Sequence, residues 1–195
     1  MKFVDKWNLN IFHALLFFAL LKNFTTRDRI EHLIAAVAAF LVSIAIILVL
    51  NKRKNIFQKI KSKVNINPLH FYLMTFFTIY IGSWFPDIDW IIHWHRSPLT
   101  HSFIPVIAIA LYLRKKRNLF TSYLNWIFGI GLASHLAWDF FPYARIRHIP
   151  GIYGHLYLAI SIIVIISFIF FDFRSKLLKE GSSKVSQKLN DRFET

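Results

Sequence analysis

Asp87 and Asp89 stand one residue apart, His95 and His101 follow six apart, and His135 and Asp139 stand four apart further along the chain. Carboxylate oxygens and imidazole nitrogens are ligands for zinc and other divalent ions. The chain has no cysteine, so any metal must be held by nitrogen and oxygen. On a helix, a spacing of four puts His135 and Asp139 on one face, a turn apart. The pattern predicts one metal site assembled from residues 82–89, 95–102 and 134–139. The candidate ligands are His32, Asp87, Asp89, His95, His101, His135 and Asp139. His32 reads either as a ligand or as a polar residue at a helix start. Asp87, Asp89 and Arg96 are the candidate catalytic groups. One Asp would act as general base. Arg96 cannot ligate a metal, and its planar cation suits a phosphate oxygen, a neighbouring carboxylate or an interfacial anchor. His148 and His155 read as surface residues, and His13, His70 and His93 as unconnected to the site. Trp84, Trp90, Trp94 and Trp138 read as an interfacial aromatic belt.

These groups sit in a very apolar chain. Of 195 residues, 55% are hydrophobic and only 17% charged, against about a quarter charged in an average soluble domain. The charges fall between long apolar runs, which argues for a membrane protein. The formal net charge of +14 raises nucleic-acid binding. However, the basic residues lie in short loops and a tail beside apolar runs, where they orient a chain in a bilayer and meet anionic headgroups. No nucleic-acid partner is therefore expected.

The elements expected to position the ligands are helices. The sequence predicts an all-α, polytopic membrane bundle of about six transmembrane helices, at residues 9–21, 31–50, 68–85, 98–113, 119–140 and 152–172. Residues 9–21 are short for a span, and a helix lying in the interface is the alternative. Asp28 and Glu31 have capping-box spacing before the second helix, and Pro68 suits the first turn of the third. Pro105 predicts a kink in the fourth. Residues 1–173 form one domain, followed by a basic cytosolic tail over 174–195. With the N-terminus cytosolic, 18 of the 24 Lys and Arg residues fall on the cytosolic side, as the positive-inside bias requires. Every candidate ligand then lies at the extracytoplasmic ends of the helices.

The ordered set Pro86-Asp87-Ile88-Asp89, His95-Arg96, Thr100-His101-Ser102 and His135-Leu136-Ala137-Trp138-Asp139 resembles the predicted membrane-bound metal-dependent hydrolases. That family includes a LexA-regulated bacterial inner-membrane protein. The resemblance covers about residues 30–172, and His32 looks like the histidine near the start of the family pattern. More distantly, Asp87 to His101 and His135 to Asp139 are similar in spacing to the zinc-dependent phospholipase C and nuclease superfamily. That similarity implies two or three zinc ions and phosphoester hydrolysis. The expected cofactor is one to three Zn²⁺ ions, with Mn²⁺ or Mg²⁺ as alternatives.

The resulting expectation is an integral membrane metal-dependent hydrolase of a prokaryotic plasma membrane, with both termini cytosolic. It would cleave a phosphoester of a lipid or lipid-linked substrate at the extracytoplasmic leaflet, with Arg96, and Arg145 or Arg147, on the phosphate. Membrane lipids are the expected partners. The rivals are a membrane protein with a structural metal and a transporter that binds an ion in transit. A transporter would place its ligands near the bilayer midplane rather than at one end.

Overall fold

The structure is a computed structural model, which describes residues 33–34, 36–45, 67–92, 96–113, 119–141 and 146–193. The expected first helix at 9–21, most of the ends of the second, and the candidate ligands His32 and His95 lie outside the described residues, as does Arg145. The described chain is helical: α1 (Ala36–Ala45), α2 (Pro68–Trp84), a 3₁₀ helix (Phe85–Ile92), α3 (Ile104–Tyr112), α4 (Leu119–Phe140) and α5 (Ile152–Phe193).

The expectation of about six spans is corrected. Among the described residues one helix is long and apolar enough to cross a membrane, the Ile152–Lys176 part of α5. Its 25 residues extend roughly 37 Å, against a hydrocarbon core of about 30 Å. The other runs fall short for separate reasons. α2 has 17 residues and α3 only 9, or about 26 and 14 Å. α4 has 22 residues but carries Thr121, Ser122, Asn125, Ser134, His135 and Asp139, which dilute its apolar character. Pro105 sits in the first turn of α3, where a proline costs nothing, so the predicted kink is a helix start instead. Residues 98–103 are turns, not the beginning of that helix. The tail expected from residue 174 continues α5 as helix to Phe193.

α4 is the central element, with α2 on one side, α5 on the other and α3 against it. The α2–α4 contact is made backbone to backbone. A Cβ at Gly82 would collide with the Phe128 carbonyl, and one at Gly131 with the Ile79 carbonyl. No other residue permits this approach. Beside it, buried Phe71 and Tyr123 stack with ring centroids 5.1 Å apart, and Thr75 Oγ1 meets the Tyr123 hydroxyl at 2.7 Å. Between α4 and α5, the Trp126 indole donates to Asp172 at 2.7 Å. α1 lies on α2 through Phe40 and Phe76, 5.3 Å apart and edge to face.

α2 begins at Asn67, whose side chain accepts the Leu69 N–H. It passes at Phe85 into the 3₁₀ helix that carries Asp87 and Asp89. The end of α2 and the end of α4 are thereby brought together.

Candidate metal centre

Three elements contribute: the 3₁₀ helix after α2, the turns before α3, and the last two turns of α4. Asp87, His101 and His135 lie close enough to hold a metal ion, each offering one ligand atom within 4.8 Å of the others. His101 and His135 are fully buried, whereas Asp87 is half-buried.

Main-chain and side-chain partners set the tautomer of both imidazoles. His135 Nδ1 lies 2.6 Å from the Ser83 carbonyl. A carbonyl only accepts, so Nδ1 carries the proton and Nε2 is left with its lone pair. His101 is set by a relay. Asp89 Oδ2 accepts the Ser97 N–H at 2.6 Å and the Thr100 hydroxyl at 2.8 Å. With its proton given to Asp89, the Thr100 oxygen can accept from His101 Nδ1, 3.2 Å away. His101 Nε2 is then also an acceptor. The rings meet edge to face with centroids 5.3 Å apart.

Asp139 completes the group. Its Oδ2 lies 3.4 Å from His101 Nε2 and 3.2 Å from His135 Nε2, and its Oδ1 lies 3.5 Å from the Arg96 guanidinium. His101 Nε2 and Asp139 Oδ2 are buried without a well-formed hydrogen bond. Two imidazole lone pairs and a carboxylate oxygen at these distances repel one another unless something positive lies among them. A proton or a metal ion meets that need. Burial opposes charge on Asp139, but when a proton occupies the His101 and His135 nitrogens that face it, those imidazoles, with the Arg96 cation, outweigh burial and hold the carboxyl far below its usual range. Burial likewise opposes a charged His135, and Asp139 outweighs it and raises that imidazole's pKa. The donor set, N and O atoms with lone pairs converging in a dry pocket, suits a divalent ion.

Asp89 is placed differently from Asp87: its Oδ2 is taken up by Ser97 and Thr100, while its Oδ1 is buried without a hydrogen bond. It is 1% exposed and lies on the Nδ1 side of His101, 3.6 Å away, while the candidate ligand atom is Nε2. A 3₁₀ helix turns about 120° per residue, so side chains two apart diverge. Asp87 and Asp89 therefore face different ways. Asp89 orients His101, the usual part of a carboxylate behind a ligating imidazole. Asp89→Asn is expected to weaken metal affinity by about 10–100-fold without abolishing it, measured by competition with a chromophoric chelator. Loss no greater than that of a distant surface variant would remove this role.

Arg96 has a left-handed backbone, φ 60°, and its carbonyl accepts the Arg147 N–H at 2.9 Å. That bond ties the loop before α3 to the tight turn at Ile146 and Ile149. The Tyr157 hydroxyl donates to the Pro98 carbonyl at 2.5 Å and ties the same loop to α5. His155 packs its ring on Phe140, 5.1 Å away, and His148 is exposed with φ 64°. His70 is exposed near the start of α2, at the end away from the centre. The parts missed from sequence were Ser83, Thr100 and Ser97 as orienting groups. Thr100 alone carried a signal, as a hydroxyl adjoining a candidate ligand.

Compared with known proteins, the chain matches no family model, no curated protein and no solved structure.

Proposed function

We propose that this protein is a membrane-associated, metal-dependent hydrolase that cleaves a phosphoester of a lipid or lipid-linked substrate. The observation that supports this reading most is the convergence of His101 Nε2, His135 Nε2 and Asp139 Oδ2 beside a half-buried Asp87. Asp87, His101 and His135, with Asp139 against them, would hold the ion, and zinc is the best match to this N/O set. A bound divalent ion would supply Lewis acidity and a water activated near neutral pH. The chain's own groups supply the rest. Ser83 and the Asp89–Thr100 pair keep the imidazoles in register. Asp139 is ionised at neutral pH and can accept a hydrogen bond from an incoming water. Arg96, about 29% exposed, can exchange its contact with Asp139 for a phosphoryl oxygen.

Half-exposed Asp87 and Arg96 leave the group reachable from outside, which favours catalysis over a closed structural ion. Membrane association rests on α5. Little of its most apolar stretch is buried, and Leu156, Ile160, Ile163, Ile166, Phe170 and Phe171 on it are exposed. A prokaryotic plasma membrane, with the basic end of α5 cytosolic and the centre extracytoplasmic, fits the position of the site near the start of that helix. The resemblance to the membrane-bound metal-dependent hydrolases agrees with the same chemistry.

The test is metal analysis of gently extracted protein, with hydrolysis of a phosphatidyl substrate measured before and after chelation. At least one divalent ion per chain is expected, with activity lost to the chelator and restored by Zn²⁺. Metal-free protein, or activity indifferent to chelation, would sink the reading.

A further inference from the structure

The residues that flank the metal centre's own groups in the chain, its rim, are apolar. Ile88 stands between Asp87 and Asp89, Leu99 two residues before His101, Trp138 beside Asp139, and Phe141 two residues beyond it. All four are exposed, Leu99 at 58% and Phe141 at 74%. A site that handles only water-soluble molecules gains nothing from such a rim, since apolar surface left in water is unfavourable. Two cations belong to the same part of the fold: Arg96 faces Asp139, and the backbone N–H of exposed Arg147 donates to the Arg96 carbonyl. The rim is also continuous with the apolar helix. α5 starts at Ile152, just beyond the turn that carries Arg147, and Tyr157 fixes its early turns to the loop of Leu99.

We infer that this face docks on an anionic lipid surface, with the apolar rim in the interfacial layer and Arg96 and Arg147 at headgroup phosphates. Apolar side chains interleaved with cations beside a candidate span match that layer, which is apolar below and negative above. The occupant is the bilayer that α5 itself enters, reached at the end of the helix. The docking places a headgroup beside Asp87 and His101 while its acyl chains stay in the membrane. This deepens the lipid-phosphoester reading but is measured independently of it.

Because the chain has no cysteine, single labels can be placed cleanly. Leu99→Cys and Phe141→Cys, each carrying an environment-sensitive fluorophore, are reconstituted as full-length protein in nanodiscs of phosphatidylglycerol or of phosphatidylcholine alone. In the anionic discs, quenching by a lipid-tethered quencher and protection from an aqueous one are expected at both positions. Protection should fall at least twofold in phosphatidylcholine or with Arg147→Ala. Labels open to the aqueous quencher in both lipids, or equal protection in both, overturn the proposal. Separately, Leu99→Glu and Phe141→Glu should lower turnover of a phosphatidyl substrate in anionic bilayers about tenfold, with a soluble aryl phosphoester and the metal content unchanged. Equal loss on both substrates counts against docking. If neither substrate is cleaved by the unaltered protein, the hydrolase reading fails while the quenching data still decide the docking.

Discussion

Replacing His135 by alanine is expected to empty the centre: metal affinity should fall by more than about 100-fold, and hydrolysis should become undetectable. The size of the effect follows from what one imidazole does here. Orienting groups behind a ligand are worth about 10–100-fold in affinity, and His135 is a candidate ligand itself. Its Nε2 faces Asp139 at 3.2 Å, and its Nδ1 holds the end of α2 through Ser83. The alanine also leaves a cavity where the fully buried imidazole stood between two packed helices, so stability must be read beside affinity. Asp87→Ala supplies the control, because half-buried Asp87 can be shortened with little loss of packing. Both variants should lose metal in competition with a chromophoric chelator. If Asp87→Ala keeps affinity and activity, the ligand set is wrong.

A single methyl group at Gly131 is expected to do comparable damage from a distance. The added Cβ meets the backbone carbonyl of Ile79, which cannot rotate away, so α2 and α4 must separate. Overpacking of this kind costs about 1–3 kcal/mol, and a clash with main chain belongs at the upper end. For a chain of this size that is a fall of roughly 6–12 °C in Tm. Gly129 provides the contrast. Its Cβ would meet the tips of Ile169, Ile165 and Val106 at 3.1–3.4 Å, side chains that can yield by a few tenths of an ångström. Gly129→Ala should therefore shift Tm by less than about 3 °C. Thermal unfolding in one detergent, with metal content measured on the same samples, compares the two. Gly131→Ala should also lose metal, because the α2–α4 spacing sets the distance between Asp87 and His135. Equal effects at positions 129 and 131 would mean that the backbone contact does not hold the pair together.

The sequence read best where local rules suffice. α4 has the expected bounds, 119–140, because no proline or charge interrupts the run until Asp139 near its end. The four-residue spacing of His135 and Asp139 put both on the site side. Asp87 joined them across the fold, as the end of an apolar run beside the end of another suggested. The divergence of Asp87 from Asp89 was not legible. It depends on the chain tightening into a 3₁₀ helix from Phe85, and in an ordinary turn two carboxylates so close can share an ion. The count of spans misled for a related reason. Apolar letters do not distinguish a helix buried in protein from one facing lipid, and Pro98 with Pro105 reduced a 16-residue run to nine residues of helix. Ser83 could not be found at all, since the atom it contributes is common to every residue.

That last point bears on how this centre can drift over generations. The tautomer of His135 is dictated by a peptide oxygen at position 83, not by the serine hydroxyl. Alanine there would preserve the imidazole's orientation, so position 83 can change while the chemistry is kept. The adjoining Gly82 has no such freedom, because a Cβ there would collide with the Phe128 carbonyl. A ranking of importance by side-chain identity would thus put the neighbour ahead of the residue that makes the contact.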